Sequence, residues 1–428
     1  MKINLTSLSD KKLLVAAGLL YFFLPFERIP TLDLFGFTVK ISYLLFLLFL
    51  LFFAKKTVYF FKKKPLDRSD LALLLLWLTG GISLLYAPDL KRGLVVLSMW
   101  GFVFLFYFIF SRILTSSEIR RNVEKVIIIS SIIVSIFGII QFIGDSIGIP
   151  MSFTGLRLQY TKIVLGFPRI QSVALEPLYF SNFLFVPLFL SIKKYIQTNG
   201  FLNKHIFVIL LFVTNIILGI SRGAYLGLII ALALLLLFGL SQYKKDKHLL
   251  KKIGLVLGAA AFSLVLSFAS VLIFNGKSAL SNFSGHAAVD DTKSGSSVPG
   301  RLEGYKTALK IFYEKPIFGN GLASFGIKTA GNASDIQQFG YGIVNNEYLE
   351  ILTETGIVGL IAFATFFLSL AWLWLRAFRK TLQKLPLIII SLGILAVMIQ
   401  YNFFSTLYII YIWAFLALMK GEINDTEN

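Results

Sequence analysis

Long apolar runs separated by short polar stretches make up most of the chain. Each run has the roughly 17–25 residues that a helix needs to cross a bilayer, because a helix rises about 1.5 Å per residue. The short alternating segments typical of a membrane barrel are a different pattern. The runs predict about twelve spans, near residues 13–26, 38–54, 70–87, 93–112, 124–143, 172–192, 205–220, 223–240, 253–274, 347–375, 385–401 and 403–420.

The composition agrees with this pattern. Hydrophobic residues make up 57% of the 428 residues and charged residues only 15%, whereas soluble domains carry about 25% charged residues. Such a chain could not bury its apolar surface in water, which excludes a soluble enzyme, a disordered chain and a small secreted domain. We therefore expect an all-α integral membrane protein, a polytopic bundle of about twelve transmembrane helices.

The formal net charge of +19 is explained by membrane topology. Cytoplasmic segments of membrane proteins collect Lys and Arg, and with the N-terminus inside, the inner segments hold most of the 41 basic residues. The basic runs 62–64 and 244–245 lie on these inner segments. We expect both termini to be cytoplasmic and no nucleic acid to be bound.

One outer segment is much longer than the others and divides the chain. Spans one to nine occupy 1–274, the large outer loop occupies 275–346, and the last three spans with a cytoplasmic tail occupy 347–428. Apolar residues recur at a spacing of three to four in the second part of the loop, at Leu302, Tyr305, Leu309 and Phe312. This spacing predicts an amphipathic helix that ends at Pro316.

Two arginines stand beside the predicted spans, where a charged residue is a functional candidate because its burial is costly. Arg222 lies in "GISRGAYLGL" between two apolar runs with almost no loop, so it must find an anion or reach lipid phosphate. Arg301 follows Pro299-Gly300 at the expected start of the amphipathic helix. The helix N-terminus would reinforce anion binding there, and the alternative is an ordinary solvated arginine.

Acidic residues also lie close to the predicted spans. Arg169 and Glu176 flank the entry to the sixth span, close enough in sequence to form an ion pair. A second group opens the tenth span at the spacing i, i+3 and i+7, which places all its members on one helical face: Glu347, Glu350 and Glu354. Three carboxylates cannot face lipid, so we expect them to share one outer cavity with the arginines.

This mixture of side chains suggests a class of ligand. The guanidinium fork matches phosphate oxygens, and two arginines suit a pyrophosphate. Carboxylates suit sugar hydroxyls and proton abstraction. Cysteine is absent and the three histidines, His205, His248 and His286, do not cluster, so we expect solvated histidines and neither a metal nor another cofactor.

The residues around these candidates resemble a known family. "SRGAYLGL", "GRLEGYKTALKIFYEKPIFGNGLASF" and "NNEYLEILTETGIVGL", in this order, are similar to the signature of the O-antigen ligase and O-antigen polymerase superfamily, and "YNFFSTLYIIYIWAFLALM" resembles its usual last span. The resemblance covers roughly 170–420. It implies a metal-independent glycosyltransferase of the bacterial inner membrane that uses undecaprenyl-pyrophosphate-linked sugars on the periplasmic face, which makes 275–346 a periplasmic loop.

The resemblance also implies roles for individual residues. Arg222 and Arg301 match the arginines that hold the lipid pyrophosphate, and we add Arg169 to them. Ligases usually carry His-Asn where this chain has Asn345-Asn346, and an amide cannot act as a general base near neutral pH. We therefore favour a polymerase, and the remaining roles follow from this choice: Glu176 or Glu347 as the base, Asn345 as a further catalytic residue, and Asn346, Glu350 and Glu354 as sugar ligands.

Two alternatives to a polymerase stay open at this stage. A ligase of the same superfamily would transfer glycan to lipid A core or to a protein hydroxyl. A lipid-linked oligosaccharide flippase would be a transporter, with charges near the membrane midplane and two related halves. The expected partners of the polymerase are an undecaprenyl-pyrophosphate-linked oligosaccharide, membrane lipid, a chain-length regulator and a flippase.

Overall fold

A computed structural model describes residues 8–28, 32–34, 37–287, 297–330, 342–381, 384–405 and 407–426. Its helices, in chain order, are α1 Leu8–Phe22, α2 Ile41–Lys63, α3 Arg68–Ser83, α4 Leu90–Ile113, α5 Ser117–Ser146, α6 Met151–Thr154, α7 Lys162–Leu165, α8 Pro177–Gln197, α9 Lys204–Leu218, α10 Arg222–Gln242, α11 Lys247–Ala287, α12 Ser297–Glu314, α13 Ser324–Lys328, α14 Glu347–Lys380, α15 Lys384–Gln400 and α16 Ile410–Thr426. Strands β1 Leu32–Leu34 and β2 Phe37–Val39 form one antiparallel hairpin, and 3₁₀ turns occupy Leu84–Tyr86 and Leu158–Tyr160.

The predicted spans coincide with helices. Each of the twelve predicted segments overlaps one of the helices above. In the described part of the chain, seven helical segments are long and apolar enough to cross a membrane, namely α2, α3 with the 3₁₀ turn that follows it, α4, α5, α10, α11 and α14. Helices α9 and α15 are shorter apolar helices. The helical architecture is that of an integral membrane protein, while the total of about twelve crossings stays a prediction.

Helix α16 forms the centre of the bundle. Every residue from 410 to 423 is buried, so this helix has no face for lipid or water. The Trp413 ring packs between other helices, with its centroid 4.6 Å from that of Phe104 on α4 and 5.8 Å from that of Phe366 on α14. A helix that is apolar on all sides belongs in the interior of such a bundle.

Buried ion pairs join the last helix to the segment between α2 and α3. Lys420 Nζ lies 2.8 Å from Asp67 and 2.6 Å from Asp70, and Arg112 on α4 lies 2.7 Å from Asp70. Asp67 also caps α3 in a reciprocal capping box with Asp70. The structure thus brings together, at one end of the bundle, segments that the charge pattern assigns to the same side of the membrane.

A break in α14 receives the loop that follows α12. At Gly356 the backbone has φ of 69° and ψ of −168°, a conformation that is essentially restricted to glycine. The carbonyl of Thr353 accepts a hydrogen bond from the Asn320 N–H over 3.1 Å, and the Ile357 N–H donates to Pro316 O over 2.9 Å. The loop therefore satisfies the backbone groups that the break exposes, and it anchors the C-terminal end of α12 on α14.

The predicted amphipathic helix is confirmed as α12, but its buried face differs from the expected one. Ala308 and Ile311 are buried against Phe325 and Val344, whereas Leu302 is 54% exposed. Leu309, also expected on the buried face, is exposed as well. The small Ala308 side chain allows the helix to approach α14 closely, which turns the larger leucines outward.

Candidate functional site

A cavity of about 170 Å³ lies where the loop before α8 meets the α9–α10 turn. We call it the arginine cavity, and its other walls come from the end of α11, from α12 and from the turn after α15. Its charged lining consists of Arg169, Glu176, Arg222 and Arg301. With three guanidinium groups and one carboxylate, the cavity has an excess of positive charge and suits an anion.

Arg222 is the first residue of α10 and is half-buried. Ser221 caps the helix, since its Oγ accepts from the Ala224 N–H over 3.3 Å. The Arg222 Nε donates to the carbonyl of His286 over 3.1 Å, while its Nη2 is buried and has no hydrogen-bond partner among the described residues. A buried, unpartnered guanidinium nitrogen at the positive end of a helix is a suitable donor for an anionic ligand.

Arg169 stabilises the turn that carries Arg222. Its guanidinium donates to Gly219 O over 3.1 Å and to Ile220 O over 2.7 Å, and its charge lies over the Tyr160 ring at 5.6 Å. Burial lowers the pKa of Arg169 from its ordinary value. The expected ion pair with Glu176 is absent in the described part of the chain, because these carbonyls occupy the guanidinium instead.

Glu176 occupies the N-cap position of α8, directly before Pro177, and its side chain makes no capping hydrogen bond. Burial raises the pKa of Glu176 above its ordinary value, and the positive charges of Arg157 and Arg169 partly oppose this effect. A carboxylate with a raised pKa, in a cavity with cationic walls, is a suitable proton acceptor.

Arg301 lies in the second turn of α12 rather than at its start. The helix begins at Ser297, because Pro299 is tolerated within a first helical turn. The expectation that Arg301 shares its anion with the helix N-terminus is therefore wrong. Burial lowers the pKa of Arg301, and the neighbouring Arg222 acts in the same direction, which indicates that the two arginines are electrostatically coupled.

The three carboxylates of α14 line a separate cavity. Glu347, Glu350 and Glu354 face a space of about 530 Å³ together with Arg92 and Trp100, and we call it the acidic cavity. The expectation of one cavity shared with the three arginines is wrong. Residues 401–405 and 407–408 lie between the two spaces, and one of them lines the arginine cavity while two line the acidic cavity: Phe403 on the first, and Leu407 and Tyr408 on the second.

The two asparagines before α14 have local structural contacts and line neither cavity. Asn346 caps the helix, since its Oδ1 accepts from the Leu349 N–H over 3.0 Å. Asn345 adopts a φ of 58°, which asparagine tolerates better than most residues, and its carbonyl accepts from the Tyr305 hydroxyl over 3.3 Å.

The acidic residues of α14 also contact the protein itself. The Glu350 carboxylate accepts from the Val344 N–H over 3.1 Å, and Glu354 is buried. Among the described residues, no group of three or more His, Asp or Glu side chains is arranged to hold a metal ion. His286, expected to be solvated, instead lines the arginine cavity.

Comparison with known proteins supports the resemblance that the motifs carry. Residues 207–364 match the family model described as O-antigen ligase. This match supports the O-antigen ligase and polymerase superfamily for the chain. The matched segment runs from α9 into the first half of α14 and contains Arg222, Arg301 and Glu347. No curated protein matches the chain in a sequence search.

This family match, together with the apolar helices, indicates a multi-pass membrane protein and supports a glycosyltransferase-type enzyme of O-antigen or polysaccharide processing. Such enzymes act on lipid-linked oligosaccharides in contact with membrane lipid.

The protein also contains a buried amide network that the sequence pattern did not indicate. Gln400, at the end of α15, donates to the capping Ser221 over 3.4 Å, and its Oε1 accepts from Asn182 on α8. Both amide side chains are fully buried. The available signal was the presence of uncharged polar residues inside otherwise apolar spans, which is costly unless they are paired.

Gly223 has a steric role beside the network. A Cβ atom at this position would lie 2.6 Å from the Phe403 ring, so only glycine allows the ring to close this wall of the arginine cavity. In the pair Arg222-Gly223, the arginine thus offers a hydrogen-bond donor to an anion, and the glycine allows the segment that carries Phe403 to approach closely.

Proposed function

We propose that the protein is a polysaccharide polymerase of the O-antigen type. It transfers a growing glycan from undecaprenyl pyrophosphate to a hydroxyl on the terminal sugar of a lipid-linked repeat unit, at the periplasmic face of the bacterial inner membrane. The observation that carries the proposal is the unpartnered Nη2 of Arg222 in a cavity lined by two further arginines.

The proposed reaction is a displacement at the anomeric carbon of the donor. The acceptor oxygen forms a bond to this carbon while the bond from the carbon to the phosphate oxygen breaks, and the electron pair leaves with the pyrophosphate. Arg222 and Arg301 stabilise the charge that develops on the leaving group. Glu176 takes the proton of the acceptor hydroxyl and later returns it to solvent.

Glu347 is the second candidate for the base, because it lies at the start of α14 on the acidic cavity. Glu350 and Glu354 bind sugar hydroxyls in this proposal. Asn346, expected to do the same, instead caps α14 and lines neither cavity, and Asn345 positions the chain before α14. Arg169 contributes positive charge while it stabilises the turn that carries Arg222. No step uses a metal ion, and the proposed partners are a flippase and a chain-length regulator.

A ligase is the second candidate, because the matching family model is described as O-antigen ligase. Asn345 argues against it, since a ligase of the expected type carries histidine there. A flippase is less well supported, because Arg222 and Glu176 lie at helix ends rather than within a span.

Deletion of the gene, followed by gel analysis of surface glycan, distinguishes these functions. Loss of a polymerase leaves single repeat units on the surface, and this is the expected result. Loss of a ligase leaves lipid-linked polymer that is not attached to its acceptor, and loss of a flippase leaves neither product. Either of the last two results would contradict the proposal.

A further inference from the structure

An apolar groove adjoins the acidic cavity. The groove has a volume of about 450 Å³, lies between α2 and α4, and shares three lining residues with the acidic cavity: Val95, Met99 and Tyr408. These residues line both spaces, so the two are adjacent and give the polar and apolar ends of one amphiphilic surface.

The groove lies on the lipid-facing side of two candidate membrane helices. Its rims are formed by Leu47 on α2 and Leu94 on α4, which are 48% and 47% exposed. Along α4 it extends from Leu94 to Val103, which corresponds to about 13 Å of helix. This distance is close to half the hydrocarbon thickness of a bilayer, so a chain in the groove would lie within one leaflet.

The polar end of this space combines carboxylates with aromatic rings. Glu347, Glu350 and Glu354 can accept hydrogen bonds from sugar hydroxyls, and Trp100 and Phe325 offer apolar faces for sugar rings. Two cationic residues, Lys91 and Arg92, lie in the first turn of α4, one turn above the groove. A lipid-linked glycan would therefore find a suitable surface for each of its parts in the order in which they are joined. Its apolar tail would lie in the groove, its anionic linker beside Lys91 and Arg92, and its sugars among the carboxylates and aromatic rings.

The charge of the two cavities separates two substrates. The lining of the acidic cavity contains four carboxylates, including that of Asp89, and two cationic residues, whereas arginines dominate the arginine cavity. A departing pyrophosphate is stabilised in the arginine cavity and disfavoured among carboxylates. This difference leaves the acidic cavity for the substrate that supplies a hydroxyl.

We propose that the acidic cavity and the α2–α4 groove together bind the acceptor, a glycan carried on a single isoprenoid chain. The inference rests on the proposed function, which assigns the donor pyrophosphate to the arginine cavity. A groove between only two helices suits one chain.

The segment between the cavities explains how the two substrates meet. The Glu347 N–H donates to Tyr401 O over 2.8 Å, and the Asn346 N–H donates to Ser405 Oγ over 2.9 Å. These bonds hold 401–405 against the start of α14 as a single-layer wall. The acceptor hydroxyl approaches over this wall from one side, and the donor anomeric carbon approaches from the other.

Photo-crosslinking tests the location of the acceptor chain. A benzophenone amino acid is introduced at Leu94, and the full-length protein in detergent is irradiated with a polyprenyl-pyrophosphate-linked repeat unit. The matched control site is Ile229 on α10, which is 64% exposed and lines none of these spaces. We expect the lipid to crosslink at position 94 and an excess of competing repeat unit to prevent this crosslink. Equal crosslinking at positions 94 and 229 would overturn the inference.

Blocking the groove provides a kinetic test. Ser98 is exposed on α4 and lines the groove, so Ser98→Trp fills it without entering the protein core. We expect the KM for the lipid-linked acceptor to rise at least about tenfold while the KM for the donor stays unchanged, with Ile229→Trp as control. Leu47→Trp on the facing helix should give the same result.

Failure of this inference can be distinguished from failure of the proposed function. If wild-type protein forms no polymer from the two lipids, the proposed function fails. If it forms polymer, and Ser98→Trp and Leu47→Trp leave the acceptor KM unchanged, only the acceptor site is wrong. Equal use of a soluble acceptor without the isoprenoid chain would also overturn the inference.

Discussion

The amide nitrogen of Gln400 donates to the hydroxyl oxygen of Ser221, the residue directly before Arg222, over 3.4 Å. The other end of the Gln400 amide accepts from Asn182, whose Oδ1 accepts from the Tyr411 hydroxyl over 3.2 Å. Residues of α8, α15 and α16 therefore converge on the cap of α10. The position of the proposed pyrophosphate ligand depends on a buried network in which each amide must keep one orientation.

Gln400→Ala should weaken donor binding through Arg222. The variant removes the donor to Ser221 and leaves the Asn182 amide without one acceptor, so we expect the donor KM to rise about tenfold and the free energy of unfolding to fall by about 1–3 kcal/mol. Ser221→Ala should reproduce the KM effect. If the two residues act as one unit, the double variant is no worse than either single variant; independent, multiplying effects would contradict the role.

Arg222→Ala and Arg301→Ala should each reduce polymer formation by about 10²–10³-fold, because each removes a positive charge from the leaving pyrophosphate. Lysine at either position should restore activity only in part, since a point charge replaces a bidentate fork. The measurement is polymer formation normalised to protein in the membrane. Arg121→Ala, at an exposed arginine outside both cavities, is the control, and full activity of both alanine variants would contradict the pyrophosphate role.

Glu176→Gln should abolish the proton-accepting step and reduce turnover by about 10²–10⁴-fold, while the donor still binds. Turnover and donor KM are measured separately. Glu347→Gln tests the rival base, and Asn345→Ala should only weaken turnover, because the Asn345 side chain faces neither cavity. Normal polymerisation by both glutamine variants would exclude a carboxylate base at either position, and an inactive Asn345→Ala would show that this amide contacts substrate.

Arg157→Ala should move the acidic limb of the pH–rate profile to higher pH. The Arg157 charge lowers the pKa of Glu176, which burial raises, so its removal raises that pKa further. Because the reaction needs the ionised carboxylate, activity falls as the pH drops through this pKa, and in Arg157→Ala the fall should therefore begin at a higher pH than in the wild type. The profile of Arg121→Ala should match that of the wild type, and an unmoved limb in Arg157→Ala would argue against Glu176 as base.

Gly356→Ala should destabilise the protein. Its Cβ would lie 2.3 Å from the carbonyl of Ile317, and a φ of 69° is unfavourable for alanine, so we expect a loss of about 3 kcal/mol or more in the free energy of unfolding. Thermal unfolding in detergent measures the change. Gly258→Ala is the matched control, because nothing lies within 4 Å of a Cβ there, and it should be neutral or slightly stabilising. Equal melting temperatures would show that the break in α14 is dispensable.

The sequence alone was sufficient to predict the helices that build the bundle, because an apolar run of a given length has few other solutions in a membrane. It also indicated the residues that matter in the arginine cavity. Arg169, Glu176, Arg222 and Arg301 stood out because a charge at the end of an apolar span must have a partner, and the structure places all four around one cavity. The motifs around them were sufficient to predict the superfamily.

The tertiary structure decided which of these charges share a cavity. Helical spacing shows that Glu347, Glu350 and Glu354 share a face, but not which helix that face meets, and it meets α4 with Arg92 rather than the arginine cavity. The same reason applies to α12, where Ala308 rather than Leu302 is buried. Contacts between segments far apart in sequence, such as Gln400 with Ser221, depend on how the helices pack, and periodicity along one helix carries no information about its neighbour.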